Sequence, residues 1–356
     1  MTENPLVEES SSGSYQFVYI GGDGNVWVHP GIGERPKQIT TDATGRSESS
    51  DAGENITYNF PQISSDGRWI AYRRDVGTPS GSGMQYTFGL WVHNLETEKS
   101  EQVLDELPGS FTWRPGTHQL TFAPAVSENY FTGNPPDASL AQGAMGLDVD
   151  TGKTTELVQP ERGYSLAAFR WSLDGRYLGF DELVYIEGRG PFGYYDFNKN
   201  TYVSWEEQIG NYAWHPAESR IYYDYLTYVA TGTEEIFYRE LEAEKEEKLT
   251  DYTTESEYAF WPVVSPDGDQ IAYLAGQEGL DNQTYQLMIQ DFAGGEPDSL
   301  GSFVSVLNLS WSPDGSTLLF SAGPWDNQKV MAVNVSDGSA TALGLGTMVD
   351  VAENVQ

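Results

Sequence analysis

Residues 309–320 read LSWSPDGSTLLF. Within this stretch, each residue of Ser312-Pro313-Asp314-Gly315 suits one position of a type I turn. Serine caps the first position, proline presets φ at the second, aspartate is tolerated at the third, and glycine ends the turn. Apolar residues before the turn and an alternating apolar pattern after it are typical of short strands. The stretch therefore predicts a β-hairpin.

The same hairpin pattern recurs along the chain with a mean period of about 50 residues. A third apolar strand, a hydrophilic turn and a fourth strand follow each copy. Four short antiparallel strands in about 50 residues are typical of one propeller blade. The six copies are PQISSDGRWIAY at 61–72, FTWRPGTHQLTF at 111–122, FRWSLDGRYLGF at 169–180, YAWHPAESRIYY at 212–223, PVVSPDGDQIAY at 262–273 and LSWSPDGSTLLF at 309–320.

The two ends of the chain complement each other. The first repeat, which begins at Tyr15, lacks its first strand, and Thr347–Glu353 supplies an additional strand after the last repeat. We therefore predict an all-β protein, a seven-bladed β-propeller of four-stranded antiparallel blades, whose C-terminal strand completes blade 1 and closes the ring. Six blades are the alternative. Residues 1–14 are expected to be a disordered polar tail or tether, and residues 15–356 a single propeller domain.

The repeated W-S-P-D-G turn, followed by a strand such as Ile271-Ala272-Tyr273, resembles the WD40-like repeats of TolB-type propellers. The resemblance covers nearly the whole chain and implies the propeller fold. Two copies depart from it, with Gly116-Thr117 and Ala217-Glu218 in place of Asp-Gly. Residues 1–14 are too short for the small α/β domain that precedes the propeller in TolB, so the family's envelope role does not carry over.

Composition excludes several classes of function. The 356 residues include 53 acidic and 19 basic side chains, a net charge of −34, and no cysteine. Nucleic-acid binding needs cationic side chains that displace counterions, so we expect no nucleic-acid partner. The lack of cysteine removes disulfides and thiolate metal sites. No apolar run approaches the roughly 18 residues of a membrane span, so we expect no membrane insertion. A monomer is expected.

The long connections between predicted strands should share one face of the ring. Binding residues tend to lie on loops that a rigid scaffold holds, so this face is the candidate binding face. Two of these connections carry candidate ligand-binding aromatic residues: Tyr130 and Phe131 in the first, Tyr185 and Phe192 in the second. The alternative is that these rings pack their own loops against the propeller. The long connections are Thr41–Ile56, Arg73–Phe88, Ala123–Ala144, Asp181–Pro191, Asp224–Thr233 and Leu274–Thr284.

Catalytic motifs are few. The four histidines are dispersed around the ring, so no metal site and no cofactor are expected. Asp181 and Asp224 each follow an aromatic residue that closes a second strand, and Glu182 is adjacent to Asp181. Two carboxyl groups roughly 5–9 Å apart could cleave a glycosidic bond. Enzymatic activity therefore stays open, although the sequence favours a protein without it.

The favoured hypothesis is a non-catalytic, extracytoplasmic bacterial propeller that binds a protein, peptide or glycan on its long-loop face. The residues proposed to line that site are Tyr130, Phe131, Asp181, Glu182, Tyr185, Phe192 and Asp224. One alternative is a carbohydrate-active hydrolase or lyase that uses rim carboxylates. Another is a purely structural module of a larger surface protein.

Overall fold

The structure is a computed structural model in which almost all regular secondary structure is β. Two 3-10 helices, Tyr130–Thr132 and Ala138–Leu140, are also present among the described residues. No helix in that part of the chain is long and apolar enough to cross a membrane. The tail predicted at residues 1–14 lies outside the described residues, which are 15–45, 53–81, 83–105, 110–127, 129–132, 136–184, 190–228, 233–251, 257–277 and 284–353.

Twenty strands form five antiparallel four-stranded sheets, I to V, preceded by three strands and followed by four. The first three strands are β1 (Tyr15–Gly21), β2 (Val26–His29) and β3 (Lys37–Gln38). Sheets I and II contain β4 (Asn55–Ile63), β5 (Trp69–Ser80), β6 (Gly83–Asn94) and β7 (Lys99–Leu104), then β8 (Phe111–Trp113), β9 (Gln119–Phe122), β10 (Ala144–Asp148) and β11 (Lys153–Val158). Sheets III and IV contain β12 (Ser165–Trp171), β13 (Tyr177–Leu183), β14 (Phe192–Asp196) and β15 (Thr201–Ser204), then β16 (Tyr212–Trp214), β17 (Arg220–Tyr228), β18 (Thr233–Glu240) and β19 (Lys245–Lys248). Sheet V contains β20 (Glu257–Val264), β21 (Gln270–Gln277), β22 (Thr284–Asp291) and β23 (Asp298–Val304), and the last four strands are β24 (Leu307–Trp311), β25 (Thr317–Ala322), β26 (Lys329–Asn334) and β27 (Ala340–Glu353).

The two ends of the chain meet in one seven-stranded sheet, ordered β24-β25-β26-β27-β1-β2-β3. The long strand β27 pairs with β26 through its first half, and its second half pairs with β1, from Gly346 opposite Gly21 to Glu353 opposite Tyr15. The structure thus pairs the C-terminal strand with β1, as the sequence predicts. The count of seven blades and the closure of the ring stay predictions, and this pairing fits both.

The repeated turn is held by one serine–aspartate pair. In the turn at 312–315, Ser312 Oγ donates to Asp314 Oδ1 at 2.6 Å, and the same Ser312 oxygen accepts the N–H of Thr317 at 3.0 Å. Gly315 has φ 71°, a conformation that glycine adopts without strain. The same serine–aspartate bond recurs in three other copies, Ser64–Asp66, Ser172–Asp174 and Ser265–Asp267.

The two departing copies replace this pair with other groups. At the turn following Trp214, His215 Nδ1 accepts the N–H groups of Ala217 and Glu218, at 3.2 and 3.0 Å. At the turn following Trp113, Gly116 donates its N–H to Ser65 Oγ in the preceding sheet, at 2.9 Å. Side chains other than the serine–aspartate pair therefore bond the main chain of both turns.

The repeat tryptophan joins each sheet to the one before it. The indole N–H donates to the first strand of the preceding sheet in three copies: Trp113 to Gln62 O, Trp214 to Arg170 O and Trp311 to Val263 O, at 3.0–3.3 Å. Trp171 donates instead to Thr121 Oγ1 on the second strand of sheet II, at 2.9 Å. The hydrophobic core lies in the same place, in clusters between neighbouring sheets.

Where the repeat has Ile63 instead of tryptophan, a carboxylate makes the connection. The N–H of Ile63 donates to Asp350 Oδ2 of β27 at 2.8 Å. Burial raises the pKa of Asp350 to about 6, against the pull of the N–H groups of Ile63 and Val351. At the joint between the C-terminal strand and sheet I, a titratable group therefore takes the place of an indole.

Three of the predicted long loops contain strand. Arg73–Phe88 consists largely of strand, and the described ends of Asp224–Thr233 and Leu274–Thr284 are strand, because the second and third strands of sheets I, IV and V continue past the predicted ends. We call these extended strand pairs the projecting hairpins. In an extended ladder, main-chain N–H and C=O groups bond to each other, whereas in a loop they would bond to water. The connection of Ala123–Ala144 contains the two 3-10 helices.

Removing residues 346–356 should destabilise the protein strongly. The deletion leaves β1 without a neighbour on one side and takes away the carboxylate that accepts from Ile63. An unpaired edge with exposed apolar surface promotes aggregation. We expect a large fall in melting temperature, or aggregation, by calorimetry and light scattering. Deleting only 354–356 is the control, and unchanged melting of the longer deletion would contradict the paired terminus.

Asp350→Asn should remove a pH-dependent contribution to the stability of the folded protein. A raised folded-state pKa means that the folded protein binds the proton more tightly than the unfolded chain, so stability falls as pH rises from about 4 to about 6. Asparagine keeps an oxygen that can accept from Ile63 and carries no charge. The melting temperature of the variant should exceed that of the wild type at pH 7.5, with the difference vanishing near pH 4. Asp326→Asn, at an exposed residue, should show no such trend, and a constant difference for Asp350→Asn would contradict the assignment.

Candidate functional site

The candidate site is the end of the sheets from which the hairpins of sheets I, IV and V project. We call this end the rim. Buried acidic side chains lie at the bases of these hairpins and in the neighbouring connections. They include Asp75 in sheet I, Glu182 in sheet III, and Asp224 and Glu235 in sheet IV, each no more than 2% exposed. The partners of these carboxylates decide whether the rim performs chemistry or presents a surface.

In sheet I, a carboxylate positions an arginine beneath an exposed aromatic ring. Asp75 accepts from Arg73 through both oxygens, Nε at 2.8 Å and Nη2 at 2.9 Å, and also from Asn59 Nδ2 at 3.2 Å. The Arg73 guanidinium lies 4.9 Å from the ring centroid of Phe60 and 5.8 Å from that of Phe88. Phe60 is 49% exposed. An aromatic ring on this rim is therefore held by an arginine and remains about half exposed.

Phe60 has a left-handed backbone, and the conformation repeats. Four first strands carry a non-glycine residue with φ between 52° and 57°, always three positions before the tryptophan position and always at a β-bulge. Such a conformation costs on the order of 1–3 kcal/mol for a residue with a side chain. Strain that recurs at one position of a repeat indicates that the bulge has a use there. The four residues are Phe60, Ala168, Trp261 and Asn308.

Asp224 fixes one of these bulges. This fully buried carboxylate accepts the N–H of Trp261 at 2.8 Å and the N–H of Asn211 at 2.8 Å. Burial raises the pKa of Asp224, and the N–H donors offset part of that rise. A Cβ on Gly210 would lie 1.5 Å from Asp224 Oδ1, so only glycine fits beside the carboxylate. Asp224 thus joins sheet IV to the strained first strand of sheet V.

The buried carboxylate of sheet III also accepts hydrogen bonds. Glu182 accepts from Tyr202 Oη at 2.7 Å, from Ser204 Oγ at 2.8 Å and from Arg162 Nη1 at 3.3 Å. Burial and the bond to Glu182 raise the pKa of Tyr202. Asp181 is partly buried. Burial raises the pKa of Tyr212, and the charge of Asp181 adds to that rise. The structure therefore places Asp224 and Glu182 in separate hydrogen-bond networks of the scaffold.

The predicted aromatic residues have different environments. Tyr130 is fully buried, donates its hydroxyl to Leu183 O at 2.8 Å and accepts the N–H of Ser165 at 2.8 Å, with Phe131 edge-on against its ring. Phe192 is fully buried against Trp205 and Tyr212. Tyr185 lies outside the described residues. The assignment of these residues as ligand contacts stays a prediction. Because Tyr130 and Phe192 are buried, they would affect a ligand only indirectly, through the residues packed around them.

His118 makes contacts that the sequence did not indicate. Its ring bridges two sheets, with Nε2 2.7 Å from Asp66 Oδ2 and Nδ1 2.6 Å from Asp150 Oδ2. Burial lowers the pKa of His118, but the two carboxylates outweigh it and raise the pKa. The residue lies on the face opposite the rim, beside the repeated turns. Within the described ranges no group of three or more His, Cys, Asp or Glu side chains is arranged to hold a metal ion.

No protein-family model matches the chain, and no curated protein matches its sequence. Among solved structures it resembles a prolyl endopeptidase, with 13% identity and a TM-score of 0.64, over 98% of this chain and 50% of that chain. It also resembles an oligogalacturonate lyase from Vibrio parahaemolyticus, with 12% identity and a TM-score of 0.59, over 94% and 87%. TolB from Acinetobacter baumannii matches with 13% identity and a TM-score of 0.52, over 88% of each chain.

Identities this low establish the fold alone. The chain is an all-β protein with a TolB-like propeller fold. It spans half the length of the prolyl endopeptidase it resembles. The similar structures thus include TolB, a prolyl endopeptidase and an oligogalacturonate lyase, and the fold alone does not show which of their functions, if any, this chain shares.

Tyr130→Phe should destabilise the protein without altering the surface. The change removes a hydroxyl that makes two buried hydrogen bonds, which should cost about 1–3 kcal/mol. Chemical denaturation measures this loss. Tyr225→Phe is the matched control, because its hydroxyl has no hydrogen-bond partner among the described residues. Equal stability of the two variants would show that the Tyr130 hydroxyl does not hold the loop.

Proposed function

We propose that the protein is a non-catalytic binding propeller that holds a protein, peptide or glycan on its rim, with Phe60 as the central contact. The observation that carries the proposal is the exposed Phe60 ring in a strained left-handed backbone, supported by Arg73 and, through it, by Asp75. Retaining a bulky exposed residue in an unfavourable conformation costs stability, and such sites cluster where proteins bind ligands. An aromatic ring that is half exposed can contact a sugar ring or an apolar side chain.

The rim carboxylates support binding over catalysis. A general acid or nucleophile needs access to its substrate, whereas Asp224 and Glu182 are fully buried and accept hydrogen bonds from the scaffold. The hydrolase or lyase alternative would require these carboxylates to leave their partners. An extracytoplasmic bacterial setting remains part of the proposal, as does a monomeric state.

Replacing Phe60 with alanine tests the proposal directly. A ligand is first identified on glycan and peptide arrays with the intact protein. Aromatic anchors often contribute 2 kcal/mol or more to binding, so Phe60→Ala should weaken the affinity at least tenfold by calorimetry while leaving the circular dichroism spectrum unchanged.

The control is Trp325→Ala, which removes an aromatic residue that is 71% exposed and lies outside the bulge positions. This variant should bind as the wild type does. Equal affinity of the Phe60 variant and the wild type, or a loss only in the Trp325 variant, would show that the ligand site lies elsewhere. Turnover of an array glycan or peptide would show that the protein is an enzyme.

A further inference from the structure

In the part of the chain that the structure describes, the projecting hairpin of sheet I has an outer edge along which no strand is paired. Strand β6 pairs with β5 along its whole length, from Gly83 opposite Ser80 to Asn94 opposite Trp69. On its other side, β7 pairs only with the stretch from Leu90 to Asn94. Within the described ranges, no strand is paired with the outer edge of β6 between Gly83 and Gly89.

The register shows which main-chain groups point outward. Hydrogen-bonded and non-bonded pairs alternate along an antiparallel ladder, and Ser80 opposite Gly83 belongs to the hydrogen-bonded series. The same series continues to Leu95, whose N–H donates to Arg68 O at 2.9 Å on the β5 side. Met84 and Phe88 belong to the alternate set. Their N–H and C=O groups therefore point away from β5.

The hairpin is held in a fixed, extended shape. A Cβ on Gly77 would lie 2.6 Å from Asn55 Oδ1 and 2.8 Å from the Tyr86 ring, so β4, β5 and β6 are in close contact there. At the base of the hairpin, the Arg73 guanidinium lies over Phe88. An edge that is already extended and packed loses little conformational entropy when a strand is added to it.

This edge lacks the charged residues that four of the other outer strands have. Charged side chains on an edge strand prevent unwanted pairing. The strands β7, β11 and β19 each begin with lysine, and β23 begins with aspartate. Residues 76–88, VGTPSGSGMQYTF, contain no charged residue, in a chain where 20% of residues are charged.

We propose that the outer edge of β6, from Met84 to Phe88, binds an extended peptide segment of a partner protein, which adds to sheet I as an additional strand. Main-chain donors and acceptors select an extended backbone, and the neutral hairpin selects a segment without charges at the paired positions. The net charge of −34 opposes a second copy of this chain and favours a partner with basic residues flanking the segment. The inference rests on the proposed function and narrows its ligand to a peptide.

The test uses random 12-residue peptides displayed on phage and selected against the intact protein. The affinity of a selected synthetic peptide is then measured by fluorescence anisotropy for two variants of one residue. Met84→Pro removes the outward N–H, and edge strands tolerate proline at such positions, as Pro79 opposite Met84 already shows. Met84→Ala removes the side chain and keeps the N–H. We expect at least a tenfold loss for Met84→Pro and less than a threefold loss for Met84→Ala.

A second readout does not depend on a substitution. Amide hydrogen exchange of the wild-type protein should slow at Met84 and Phe88 when the peptide binds. Equal affinities of the two variants with no new protection, or failure to select any peptide, would overturn strand addition. So would a dimer, seen by light scattering and abolished by Met84→Pro. If Phe60→Ala abolishes ligand binding while Met84→Pro does not, the proposed function stands and only strand addition fails.

Discussion

The bond from a repeat tryptophan to the preceding sheet is the interaction on which the rest of the structure depends. A four-stranded sheet of this size has two apolar faces and cannot bury either face alone. The indole fills the space between two sheets and its N–H finds an acceptor on the neighbour, at Gln62, Arg170 or Val263. A buried N–H without an acceptor would cost about 1–3 kcal/mol, so the ring fixes the spacing and orientation of adjacent sheets.

Rigid sheets allow the rim to carry strain. Phe60 and Trp261 keep left-handed backbones because their surroundings leave no alternative: Asp224 holds the N–H of Trp261, and Arg73, fixed by Asp75, lies against the Phe60 ring. The buried carboxylates therefore hold the main chain and side chains of the rim in place. They shape the surface that a ligand would meet, and this arrangement favours recognition over acid–base chemistry.

The sequence predicted much of the fold because the signals were local. Ser312-Pro313-Asp314-Gly315 specifies a turn from its own side chains, and the serine–aspartate bond forms as that chemistry requires. The incomplete first repeat and the strand Thr347–Glu353 were enough to predict the pairing of β27 with β1. The projecting hairpins were missed because the extension of a strand beyond the core depends on cross-strand pairing, which the local sequence does not show.

The site was harder to predict, for a physical reason. Tyr130 and Phe60 are both aromatic residues near long connections, and composition does not tell which one is buried. Tertiary contacts decided it: Tyr130 found two hydrogen-bond partners 35 and 53 residues away in sequence, whereas the bulge in β4 left Phe60 exposed above Arg73. The sequence by itself determined the turns, the strands and their repeat, because these depend on neighbours in the chain. Only the tertiary structure decided which side chains face solvent and which carboxylates are bonded, because burial and long-range hydrogen bonds arise between sheets.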